Sequence, residues 1–92
     1  MTYRLIYHPD IVKFDLPRIP KKIRETIRRA IEKRLLSDPV LFGQPLRQSL
    51  KGYRKLRVGD YRVIYRIDGC EIIVLKIGHR KEVYDKVFPR IN

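Results

Sequence analysis

Two dipeptides, Gly59-Asp60 and Asp68-Gly69, constrain this chain more than any other feature. Each offers a glycine for the positive φ that a two-residue hairpin turn needs. They separate three runs rich in β-branched and aromatic residues: Tyr53 to Val58, Tyr61 to Ile67 and Cys70 to Ile77. The spacing predicts an antiparallel three-stranded meander, with Gly78 breaking the last strand. A two-residue turn also fixes register. With Gly59-Asp60 as the turn, Val58 faces Tyr61, Arg57 faces Arg62 and Leu56 faces Val63. Side chains alternate between faces, so Leu56, Val58, Val63, Tyr65 and Ile67 share one. The second turn adds Ile72 and Val74. This is the expected core face.

The first half supplies what packs on it. Thr2 to Tyr7 reads as a strand, ended by His8-Pro9-Asp10, and residues 10–16 as a short helical turn before Pro17. Ile23, Ile27, Ile31 and Leu35 then recur every four residues, the stripe of an amphipathic helix. Pro20 is tolerated in a first helical turn, and Ser37-Asp38-Pro39 ends the helix because the residue before proline avoids the helical region. Val40 to Gln48 reads as loop, and His79 to Asn92 as a mostly polar tail. The expected fold class is α+β over a single domain, residues 1–92. It comprises an N-terminal strand, a helical region (short turn plus one long amphipathic helix), an antiparallel three-stranded meander and a short C-terminal tail.

Charge narrows function. Lys plus Arg number 22 against 10 Asp plus Glu, a net charge of +12 on 92 residues. Such self-repulsion destabilises a compact state and points to a polyanionic partner. The single cysteine, Cys70, excludes an internal disulfide framework. The longest apolar run, Ile72 to Leu75, is far too short for a membrane span, and the first residues carry no apolar export signal. The cytoplasm is the expected compartment.

The meander face opposite the core carries Lys55, Arg57, Arg62 and Arg66. Glu71 is expected to face Arg66, which leaves Lys55, Arg57 and Arg62 without a neutralising acid. Directly opposed like charges destabilise a sheet, so an anion site is the better reading of this face. The sequence offers no carboxylate pair, no metal-ligand spacing and no glycine-rich phosphate loop, and no cofactor or metal is expected. Arg, Lys, His and Tyr remain, groups that hold phosphate, stabilise charge on phosphorus and move protons. RNA brings its own nucleophile, the 2′-OH. His79-Arg80 should emerge beside Arg62, with Tyr84 one helical turn beyond Arg80. The Tyr84 ring either stacks on an unpaired base or packs on the sheet. The outer face of the long helix, with Lys21, Lys22, Arg24, Arg28, Arg29, Lys33 and Arg34, is either simply solvated or a further anion surface.

Residues 53–65 (Tyr-Arg-Lys-Leu-Arg-Val-Gly-Asp-Tyr-Arg-Val-Ile-Tyr) and 77–84 (Ile-Gly-His-Arg-Lys-Glu-Val-Tyr) resemble the RelE branch of the RelE/ParE toxin superfamily. The resemblance implies a toxin–antitoxin toxin that enters the ribosomal A site and cuts mRNA, leaving a 2′,3′-cyclic phosphate and a 5′-OH. By position it implies Lys55, Arg62, Arg80 and Tyr84 as catalytic residues. Tyr53 stands where the prototype has a second lysine. Arg57 is the expected substitute, and His79 a second candidate for proton transfer. Lys22, Arg29, Lys33, Arg54 and Lys81 are expected to contact RNA or the ribosome. The implied partners are a cognate acidic antitoxin, in a hetero-oligomer, with mRNA and rRNA, and no membrane. Two alternatives stay open: a ParE-like inhibitor of DNA gyrase, and a non-catalytic basic nucleic-acid-binding module.

Overall fold

A computed structural model describes residues 2–91. Strands β1 (Arg4–Tyr7), β2 (Gln44–Pro45), β3 (Arg54–Val58), β4 (Tyr61–Asp68) and β5 (Glu71–His79) form one sheet in the order β1-β5-β4-β3-β2. β1 runs parallel to β5, and the other pairs are antiparallel. The expected meander is its centre. β2 was not expected: at two residues, one of them proline, it has no periodicity to read.

The first hairpin has the expected register, with Val58 opposite Tyr61 and Arg57 opposite Arg62. The second turn lies one residue later than expected. Asp68 pairs with Glu71, and Gly69 takes the positive φ of +61° at the first turn position. A turn that slips by one moves each partner by two, so the faces survive and Ile72 and Val74 are fully buried on the core side. The ion pairs do not survive. Glu71 meets Arg4 of β1 at 2.5 Å rather than Arg66, and Arg66 reaches Asp68 at 3.4 Å. A register shift between Ile64 and Tyr65 then leaves Leu75 as the extra residue of a bulge, and Leu75 packs with Ile64 on the far face.

The helical layer covers one face. A π-type turn (Ile11–Asp15) and a 3-10 turn (Leu16–Arg18) occupy the place of the expected short turn. Helix α1 (Lys21–Ala30) runs on into a wider π-type turn, Ile31–Leu35. Its stripe meets the sheet, with Ile27, Ile31 and Leu35 buried against Leu56, Val63 and Tyr65.

The segment expected as loop is ordered by named bonds. Helical turn α2 (Pro39–Phe42) is capped by Asp38, whose Oδ1 accepts from the Leu41 N–H at 3.0 Å. The buried Tyr65 hydroxyl donates to the Pro39 carbonyl at 2.6 Å, and Arg54 donates to the Val40 and Gly43 carbonyls at 2.7 and 2.9 Å. A Cβ on Gly43 would collide with that hydroxyl. Gly43→Ala is therefore expected to lower stability by about 2 kcal/mol through overpacking, read as a drop in urea midpoint with unchanged slope.

The tail is not a polar appendage. Val83 and Val87 are fully buried against Ile64 and Leu75, with Leu46, Leu50, Tyr53 and Ile91 around them. The sheet is thus covered on both faces. The tail is tied down at its end. β1 leaves β5 at Tyr7, where the His8 N–H still donates to the Val74 carbonyl, and the edge of β5 beyond it lies open. Asp15 takes over as acceptor for the Ile77 N–H at 2.9 Å. Arg90 grips both Asp15 oxygens at 2.7 Å and donates to the Leu75 carbonyl at 3.2 Å. The two side chains are only 9% and 5% exposed.

Candidate functional site

Two cross-strand rows carry the site. One is Lys55, Ile64 and Lys76; the next is Arg57, Arg62 and Gly78. Ile64 and its cover of tail residues give these rows an apolar floor. Lys55 and Arg62 are half-buried and Arg57 is exposed. Among the described residues, none of the three has a carboxylate within 4.0 Å. Arg62 bends over the β3–β4 turn and donates to the Gly59 and Tyr61 carbonyls at 3.0 and 2.9 Å. Those bonds hold its guanidinium in place without neutralising it.

Arg80 joins this end of the sheet. Its N–H donates to the Asp60 carbonyl at 2.8 Å, and its Nε lies 3.8 Å from Asp60 Oδ1. The pair is exposed and long, a weak hold that leaves the charge available. Beyond it the chain coils into a turn: the Glu82 and Val83 N–H groups both donate to the His79 carbonyl. Val83 points inward, and a Cβ on Gly78 would lie 3.4 Å from its Cα. The turn therefore crosses the sheet directly beside Arg62. Tyr84, next in sequence, is 38% exposed. Lys81 lies exposed on the same turn.

Other expected residues are elsewhere. His79 pairs with Tyr61, on the helix side of the sheet away from Arg62, with ring centroids 5.5 Å apart and Nδ1 accepting from the Lys81 N–H. Arg54 also faces the helix side, bound to two carbonyls. Lys22, Arg29 and Lys33 are exposed on the helical layer. Arg28 is the helix cation that finds acids, at Glu25 (2.7 Å) and Glu32 (3.5 Å). Tyr53, at the position of the prototype's second lysine, packs into the second core.

Sequence reasoning missed Lys76. Its ammonium donates to the Asp85 carbonyl, fastening the turn that bears Tyr84. Burial pushes its pKa below the usual lysine value, and the neighbouring Arg90 adds to the effect. The bulge hid it, because regular alternation would not place Lys76 opposite Ile64. Among the described residues, no helix is long and apolar enough to cross a membrane.

The family model described as the ParE toxin of the type II toxin–antitoxin system, parDE, matches residues 5–84. The chain belongs to this family of toxins. A relative named Toxin RelE from Mycobacterium tuberculosis is 44% identical over 72 residues, covering 76% of this chain and 74% of that one. Toxin RelE3 from Methanocaldococcus jannaschii is 33% identical over 89 residues, 94% of this chain and 99% of that one. The toxin also superposes on a structure of the RelBE2 toxin–antitoxin complex from M. tuberculosis, with a TM-score of 0.80 and 29% identity, over 87% of this chain and all of that one. The toxin is thus a type II toxin of the RelE/ParE superfamily, and its α+β fold is theirs.

Proposed function

We propose that the toxin is an endoribonuclease that cuts mRNA in the ribosomal A site and is held in check by an acidic antitoxin. The observation that carries this reading is the un-neutralised group Lys55, Arg57 and Arg62, with Arg80 at the same end of the sheet and Tyr84 exposed on the turn that follows it. The reaction begins with attack of the substrate's 2′-oxygen on the adjacent phosphorus, the hydroxyl proton passing to water. The new 2′-O–P bond forms as the P–O5′ bond breaks, giving a 2′,3′-cyclic phosphate and a 5′-OH. Arg62 and Arg57 meet the charge that develops on the phosphoryl oxygens, and Lys55 adds to that field. Arg80 faces the departing O5′. Arginine holds its proton too tightly to give it up, so Arg80 acts by charge and the proton reaches O5′ from water. Tyr84 holds a neighbouring base by stacking.

The RelBE2 neighbour is a toxin–antitoxin complex. An acidic antitoxin segment lying over the same cations would both neutralise them and exclude RNA. A second reading, inhibition of DNA gyrase, has one observation in its favour: the matching family model is that of ParE toxins.

Tightly induced expression followed by mapping of mRNA 5′ ends in the arrested cells tests the proposal. Cuts within translated frames are the expected result. Arrest with intact mRNA and inhibited supercoiling by the purified protein would establish gyrase as the target. Expression without arrest would leave a basic binding module.

A further inference from the structure

Tyr84 sits between two fixed points. Before it, Val83 is fully buried, and a Cβ on Gly78 would lie 3.4 Å from the Val83 Cα, so the turn is seated on the backbone of β5. After it, the Asp85 carbonyl accepts from the Lys76 ammonium. Alternation puts Lys76 and Gly78 on one face of β5, about 6.6 Å apart along the strand. Gly78 is paired with Arg62, and Lys76 with Ile64. Residues 83–85 thus bridge the two cross-strand rows that carry the site, with Tyr84 in the middle.

The Lys76 tie has no duplicate. Among the described residues, no other hydrogen bond joins residues 84–87 to the sheet. Val87 is buried further on, but apolar packing is non-directional and does not orient a peptide plane. A bond to a carbonyl does. This peptide also needs holding. Lys86 has a φ of +55°, the left-handed region that crowds any residue with a Cβ. Such a conformation persists only where its surroundings over-determine it. The Asp85 carbonyl belongs to the peptide that leads into Lys86, so Lys76 holds the strained link itself. The setting makes the hold firm. Lys76 is half-buried; burial and then Arg90 draw its pKa down, while Asp15, Asp85 and Glu82 draw it up. A hydrogen bond from a charged donor, partly shielded from water, is stronger than an exposed neutral one.

Resting on the reading of RNA as substrate, we propose that Lys76 is a positioning residue for the cleavage. It touches no reacting atom. By fixing the Asp85 peptide it sets where Tyr84 presents its ring, and so where the stacked base lies relative to Arg62. A displacement of about 1 Å at such a group can cost about 10²-fold in rate. The charge of Lys76 serves the turn rather than the phosphate.

A double-mutant cycle with Tyr84 tests this. Lys76→Met keeps the apolar stem and removes the donor. Single-turnover cleavage on programmed ribosomes, corrected for the folded fraction from a thermal melt, is expected to fall by roughly 10- to 100-fold in Lys76→Met. In a Tyr84→Ala background the same change should cost roughly twofold or less. An equal loss in both backgrounds would overturn the proposal, because a phosphate contact or general loosening does not depend on the Tyr84 ring. Unchanged cleavage in Lys76→Met would overturn it too. Amide exchange, which needs no RNA, reads the tie by itself. The Val83 and Asp85 N–H groups donate to the His79 and Glu82 carbonyls. Their exchange should rise by roughly 10-fold in Lys76→Met while the amides of Ile64 and Val74 stay protected. Unchanged exchange over residues 82–86 would refute the tie. A wild type that cuts no RNA would remove the substrate reading and the cleavage role with it, and exchange would still decide whether Lys76 holds the turn.

Discussion

Arg62→Ala slows mRNA cleavage by about 10²- to 10³-fold, the usual cost of removing one group that stabilises transition-state charge, while the protein melts no earlier than wild type. The two halves of this expected result have one cause. Arg62 faces Arg57 directly across β3 and β4, and among the described residues no carboxylate lies within 4.0 Å of either. Opposed like charges cost a sheet pair about 0.2–1 kcal/mol, and deleting one relieves that cost. The hydrogen bonds lost with it run to the Gly59 and Tyr61 carbonyls at a half-exposed turn, where water replaces them. For a domain of this size a gain of that order raises the melting temperature by at most about 4–8 °C. Single-turnover cleavage on programmed ribosomes, with a thermal melt of the same sample, reads both signs. An Arg62→Ala protein that cuts normally would remove Arg62 from the mechanism. One that melts much earlier would make it part of the scaffold. Arg80→Ala should behave alike in cleavage, since its exposed contact with Asp60 at 3.8 Å holds little stability.

The cationic face was legible because short turns translate sequence into register. A turn at Gly59-Asp60 sets Arg57 opposite Arg62, and the structure has that pairing. The second turn shows why faces are easier to read than partners. Its slip to Gly69-Cys70 left every core residue on the right side and still broke the expected Arg66–Glu71 pair. What stayed hidden depended on contacts distant in sequence. The second core joins Leu46, Leu50 and Tyr53 to Val83 and Val87, and each looks isolated in its own polar stretch. Lys76 was hidden by a bulge, and β2 by its length. The end of the third strand at Gly78 predicts His79 close to Arg62, but His79 pairs with Tyr61, and strand alternation sends their side chains to the face opposite Arg62.

The largest stability effect belongs to a pair that no sequence pattern announces. Asp15→Ala is expected to destabilise the toxin by about 3–5 kcal/mol, the range for breaking a buried ion pair from one side. Two groups would lose their acceptor together: the Arg90 guanidinium, only 9% exposed and left with the long contact to Asp10 at 3.7 Å, and the Ile77 N–H on the open edge of β5. Native domains hold about 5–15 kcal/mol in all, so this one change removes a large part of the margin. Arg90→Met should cost less, because the Ile77 N–H keeps its acceptor and the methionine stem fills the arginine's path. Adding Asp15→Asn to Arg90→Met should cost little more, since the carboxylate's charge partner is already gone. That non-additivity, measured by urea denaturation of all four proteins, is the signature of direct coupling. Additive losses would mean that Asp15 acts mainly through Ile77. Function follows from position. Arg90 anchors the segment that carries Arg80, Tyr84 and the two buried valines, so Arg90→Met loosens that segment from its end. Cleavage in Arg90→Met should therefore fall by more than its folded fraction accounts for, with amide exchange rising over residues 80–91 before the sheet opens.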